Sequence, residues 1–187
     1  MIVALTFTAE DGRRLLQFAR ESIQTAVEGR RLPEVGPEQL SKALLQPLGA
    51  FVTLYRGDEL RGCIGRLQYD TPLYRNVIES AVSSALNDPR FSCVSREEMT
   101  ELRIEIAVLD QPRTIERLEE FDVTQHGIVM QLGLAHGVFL PKVAREHQWD
   151  MQKTLSMLCR KIGLHEQAWL QAQARFQVFN TQEFAEE

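Results

Sequence analysis

The six residues Leu60-Arg61-Gly62-Cys63-Ile64-Gly65 place a thiol between two glycines, with an arginine two positions upstream. Read with a period of two, Arg61, Cys63 and Gly65 share one face of a strand, and Leu60, Gly62 and Ile64 the other. Glycine weakens a strand, because it adds no packing and loses the most entropy on folding. Two glycines here therefore ask for a reason. One reason is chemical: without a Cβ, a ligand can approach the sulfur, and Arg61 favours the thiolate, the nucleophilic form. The other is structural: a bulge or close strand contact, with Cys63 as a small buried hydrophobe. Further along, Arg103 and Glu105 sit two apart on one strand face. Glu105 is then either a general base or half of a structural ion pair. In Asp88-Pro89-Arg90-Phe91, Arg90 offers a bidentate fork for a carboxylate or phosphate, or anchors a turn through a salt bridge. The candidate set is Cys63 and Glu105 for catalysis, and Arg61, Gly62, Gly65, Arg90 and Arg103 for ligand binding.

Other chemistry has less support. His126, His136, His147 and His165 show neither H-x-x-x-H nor H-E-x-x-H spacing, and Cys63, Cys93 and Cys159 contain no C-x-x-C. No metal site is read from them. Gly127, Gly133 and Gly137 suit a hairpin, and with no G-x-G-x-x-G or Walker pattern no cofactor is implied.

These residues must be positioned by a small set of elements. Thr8 and Asp11 form a capping-box signal, and Leu15, Leu16, Ala19, Ile23, Ala26 and Val27 keep helical spacing until Gly29. The proline- and glycine-bearing stretch 30–37 reads as a loop leading to a short helix near Glu38–Leu45. Phe51–Tyr55 and Leu60–Gly65, around Gly57, make a hairpin. Pro72 marks the first position of a helix lined by Leu73, Val77, Ala81 and Ala85, which ends at Asp88-Pro89. Ser95 and Glu98 signal a short helical turn. Leu102–Val108 alternates with Leu102, Ile104, Ile106 and Val108 inward. Gly127–Leu132 and Gly137–Leu140 suggest a second hairpin, turning through Gly133–His136. Pro141 opens a helix. Asp150 caps another over Met151–Ile162, with Gly163 past its end. A last strand lies near Arg175–Phe179. Hairpin, proline and helix occur near 50–86 and again near 127–162, an internal echo. The expectation is an α+β fold, a mainly antiparallel sheet with flanking helices, two-lobed, with this hairpin–helix duplication.

At 187 residues the chain suits roughly one domain of about 150 residues. Its 44% hydrophobic and 25% charged residues exclude a disordered or disulfide-scaffold chain. A net charge of −5 disfavours a duplex nucleic acid as partner, because phosphate neutralisation dominates that affinity. The apolar start, Met1 to Phe7, carries no basic leader, and no apolar run approaches the ~18 residues of a membrane span. With the odd, scattered cysteines, the expected location is cytoplasmic.

Leu60-Arg61-Gly62-Cys63-Ile64-Gly65 also resembles the hallmark of the AMMECR-domain family, protein A of the AmmeMemoRadiSam system in prokaryotes. The resemblance continues through Phe51–Leu54, Asp88–Phe91, Leu102–Leu109, Gly137–Ala144, Trp149-Asp150, Leu158–Leu164 and Trp169, nearly the whole chain. It implies a single domain over 1–187, with two lobes sharing one core. It also implies company: a Memo-like protein and a radical SAM protein, whose cluster motif this chain lacks. One departure is Ala135-His136-Gly137, where many members carry a basic pair before the glycine. The resulting expectation is a ligand-binding or accessory protein that works with those partners, and an unknown small ligand, through a cleft at the motif. The alternative is an enzyme with Cys63 as nucleophile.

Overall fold

The computed structural model describes residues 6–67 and 69–187. The first five residues, part of the apolar start described above, lie outside them. Along the chain run α1 (Ala9–Val27), β1 (Gly49–Arg56), β2 (Glu59–Arg66), α2 (Leu73–Leu86), β3 (Leu102–Leu109), β4 (Arg113–Ile115), β5 (Gly127–Leu132), β6 (Ala135–Phe139), α3 (Pro141–His147), α4 (Met151–Lys161), β7 (Arg175–Phe179) and β8 (Thr181–Ala185). They form two four-stranded antiparallel sheets with flanking helices, ordered β2-β1-β3-β8 and β4-β7-β5-β6. The α+β expectation holds. The chain divides into two compact units, 1–109 with 182–187, and 110–181.

In the first unit, the alternation read in Leu102–Val108 turns Leu102, Ile104, Ile106 and Val108 into a cluster with Val52 and Leu54 of β1. Leu15, Phe18, Ala19 and Ile23 of α1 and Val77 and Ala81 of α2 complete it. Thr8 and Asp11 make the reciprocal capping box that starts α1. Small residues on α2 let that helix lie against the sheet backbone. The Ser84 hydroxyl donates to Val52 O at 2.8 Å and accepts from Ile64 N at 2.8 Å. Asn76 likewise donates to Leu48 O at 2.9 Å.

In the second unit, Ile128, Met130, Leu155, Leu158, Cys159, Phe176 and Val178 form a cluster of their own. Asp150 caps α4 by accepting from Lys153 N, and Gly163, at φ 77°, follows its end. Each unit thus holds a hairpin followed by a helix, the echo seen in the sequence.

Several boundaries differ from expectation. Only a single 3-10 turn, Pro37–Gln39, forms where a helix near Glu38–Leu45 was expected. The Ser41 hydroxyl there donates to Asp11, and Pro47 lies too near for a helix to extend. Pro72 is the N-cap of α2, not its first helical residue. The second hairpin turns through two residues, Gly133 and Leu134, because Gly133 takes φ 60° and Leu132 pairs directly with Ala135. The strand at Arg175–Phe179 is not the last: β8 follows and returns the chain to the first sheet. Its polar sequence, Thr-Gln-Glu-Phe-Ala, hides it from pattern reading.

Candidate functional site

Leu60–Gly65 lies within β2, an edge strand of the first sheet. Its register with β1 pairs Cys63 with Thr53, and Thr53 in turn pairs with Glu105 of β3. Cys63, Thr53 and Glu105 therefore stand in one row across three strands, on the face turned away from the α1–α2 core. With strands roughly 4.8 Å apart, about 10 Å of sheet separates the outer two Cα atoms. The Thr53 hydroxyl donates to the Cys63 sulfur at 3.3 Å. Cys63, Thr53 and Glu105 are all half-buried. On the next row, Arg103 pairs with Glu105 at 2.5 Å and lies over the Tyr55 ring at 4.9 Å. The structural ion pair weighed for Arg103 and Glu105 forms.

The two glycines are filled by the protein's own atoms. A Cβ on Gly62 would stand 2.2 Å from the Ser84 carbonyl oxygen of α2. A Cβ on Gly65 would meet the Phe51 ring at 2.3 Å and Ala50 O at 2.4 Å. Close packing of helix and ring accounts for both, and Gly62 points to the opposite face from the thiol.

Arg61 does not turn to Cys63. Its guanidinium donates to Glu98 at 2.9 and 3.1 Å, to Ser92 O at 2.8 Å and to Cys93 O at 3.3 Å. It ties the 92–98 loop to the sheet edge, and the Ser95–Glu98 capping contacts complete that loop. Glu98 is held below the ordinary carboxylate range, first by Arg61 and then by the Ser95 N–H.

The cation that reaches the motif is Arg90. Its Nε and Nη2 donate to Asp88 at 2.9 and 2.7 Å, and Nη2 also donates to Cys63 O at 3.2 Å. Asp88 accepts the Cys63 N–H at 2.8 Å. Both backbone groups of Cys63 are thus met by side chains from the loop after α2. The Asp88 side chain is 2% exposed, whereas that of Arg90 is 53% exposed. The Arg90 hydrogen bonds, with help from the Cys63 and Arg90 N–H groups, hold the Asp88 carboxyl down to about 2 against the cost of burial. Arg90 is held charged above its ordinary range, first by the Asp88 hydrogen bond, with smaller contributions from the charges of Asp88 and Cys63.

The structure thus gathers Cys63, Glu105, Arg103 and Arg90 around one strand edge and face, and commits Arg61, Gly62 and Gly65 to packing and loop anchoring. Sequence reading missed Thr53 and Asp88. Thr53 is legible only through hairpin register. Asp88 carried a signal, a carboxylate before proline at a helix end, but reads equally as helix termination. Of the other thiols, Cys93 is exposed, and Cys159 is sealed 3.6 Å from the Met130 sulfur, where burial pushes it up. Among the described residues, no group of three or more His, Cys, Asp or Glu could hold a metal ion. No helix among them is long and apolar enough to cross a membrane.

Comparison with known proteins matches the family model AMMECR1 to residues 16–184. Protein MK0488 of Methanopyrus kandleri is 37% identical, over 96% of this chain and 90% of its own. Protein MJ0810 of Methanocaldococcus jannaschii is 34% identical, over 96% and 92%. The crystal structure of the uncharacterized protein PH0010 from Pyrococcus horikoshii superposes with a TM-score of 0.89 at 33% identity, covering 94% of this chain and 91% of that one. Family model, fold and relatives agree, and the chain belongs to the AMMECR1 family.

Proposed function

We propose that this protein is a ligand-binding accessory protein, and that it works with a Memo-like protein and a radical SAM protein through the sheet face at Leu60–Gly65. The observation that supports this is the row Cys63–Thr53–Glu105: thiol, hydroxyl and carboxylate in register on a face that the α1–α2 core does not use. Around this row, Arg61, Arg90 and Arg103 are each matched by a carboxylate, Glu98, Asp88 and Glu105. A face so balanced suits a polar ligand or a protein surface better than a lone strong anion, which would have to displace a carboxylate. Its residues offer a donor, an acceptor and a soft sulfur, and no complete acid–base set. The test is calorimetric titration of this protein with each partner at micromolar concentration. Association is expected, with Glu105→Ala weakening it at least about tenfold, as for a central contact. Absence of association, or indifference to Glu105→Ala, overturns the reading.

A second reading is favoured by one observation, the Thr53 O–H held on the Cys63 sulfur. That contact gives the sulfur a hydrogen-bond donor, which favours the thiolate form that a nucleophile needs. Turnover of a substrate by the isolated protein, lost in Cys63→Ser, would support it.

A further inference from the structure

We propose that Arg90, held in place by Asp88, is the positioning residue that sets the ionisation of Cys63, and that Arg61, its neighbour in sequence, has no part in it. This rests on the reading of the Cys63 face as the working surface. An edge strand presents N–H and C=O groups with no strand to meet them. At Cys63 the two are met by side chains, the N–H by Asp88 at 2.8 Å and the carbonyl by Arg90 at 3.2 Å. The Asp88–Arg90 pair stands where a neighbouring strand would lie. It fixes a guanidinium on the carbonyl of the residue that bears the sulfur. Asp88 is buried and Arg90 is half in water, so the carboxylate is the fixed point and the arginine is the arm. Arg61, by contrast, spends its donors on Glu98, Ser92 O and Cys93 O. The Arg90 cation favours the Cys63 thiolate against the opposing carboxylates of Asp88, on the Cys63 N–H, and of Glu105, in the same row, and only the thiolate is alkylated.

The experiment measures Cys63 alkylation by iodoacetamide from pH 6 to 10 on the full chain, with each cysteine resolved by mass spectrometry. Arg90→Gln is expected to slow Cys63 at pH 7 about three- to tenfold and to move its profile to higher pH, since one pKa unit is tenfold in thiolate below the pKa. Arg90→Lys, which keeps the charge, is expected to recover most of the rate. Arg61→Lys is expected to leave the profile in place, and Cys93 serves as the internal reference in the unsubstituted and Arg90 samples. On the unsubstituted protein, raising salt to about 1 M, where the Debye length falls to about 3 Å, is expected to slow Cys63 selectively. This measurement stands even if a variant fails to fold. A Cys63 profile that ignores both Arg90→Gln and salt, or one that Arg61→Lys moves as far as Arg90→Gln does, overturns the proposal. Failure here leaves partner titration untouched, and failure of that titration leaves the alkylation profile standing, so the two are told apart.

Discussion

Asp88 is the residue on which the site's geometry turns. Its carboxyl titrates at about 2, below the ordinary 3.8, because Arg90 and two backbone N–H groups favour the charged form. A depressed folded value means that its stabilisation is complete above the ordinary value and is lost as pH falls from there through about 2. After discounting for the half-exposed Arg90, the contribution is about 1–2 kcal/mol. Denaturant titrations between pH 5 and 2 are expected to show Asp88→Asn with a shallower acid limb than the natural protein. An identical limb would remove Asp88 from the account. Cys63, Glu105, Arg90 and Arg103 were all legible as candidates from type and spacing alone. What was not legible was who pairs with whom: Arg61 is adjacent in sequence yet faces Glu98, and Arg90 arrives from a loop 27 residues on. Pairing of this kind depends on loop paths, which local pattern does not encode.

At the scale of elements, the contact of α2 with β2 fixes the hallmark. Gly62→Ala would drive a methyl into the Ser84 carbonyl, a backbone atom that yields only if the helix moves. The expected cost is about 1–3 kcal/mol, read as a lowered denaturation midpoint. Ser84→Ala would leave the Ile64 N–H and the Val52 carbonyl without their hydroxyl partner, for a similar loss of about 1–3 kcal/mol. A Gly62→Ala protein as stable as the parent would show that the helix does not constrain the strand. Strands and helices with strong periodicity or caps, such as α1, β3 and α4, are plain in the sequence. The two-residue turn at Gly133 and the single turn at Pro37–Gln39 depend on backbone geometry and on tertiary bonds such as Ser41 to Asp11, so their boundaries shifted.

For the whole molecule, the chain's far end belongs to its first unit. Glu186 pairs with Arg20 of α1 and accepts the Ile104 N–H at 2.8 Å, while Arg20 also donates to Met99 O and Leu102 O. Glu186→Ala strips two elements of a shared anchor. It is expected to lower hydrogen-exchange protection in β3 by about 1–3 kcal/mol and to leave the α4 amides unchanged. Fold class and family were readable from pattern and resemblance, whereas the return of β8 to the first sheet was not, because a short polar strand is defined only by the edge it joins. The central claim is that this protein meets its partners through the face carrying Cys63. It is tested most directly by measuring Cys63 alkylation with and without the Memo-like and radical SAM proteins at saturating concentration. Selective slowing of Cys63, with exposed Cys93 reacting as before, is the expected result. Equal rates for Cys63 in the free and partner-bound protein would contradict it.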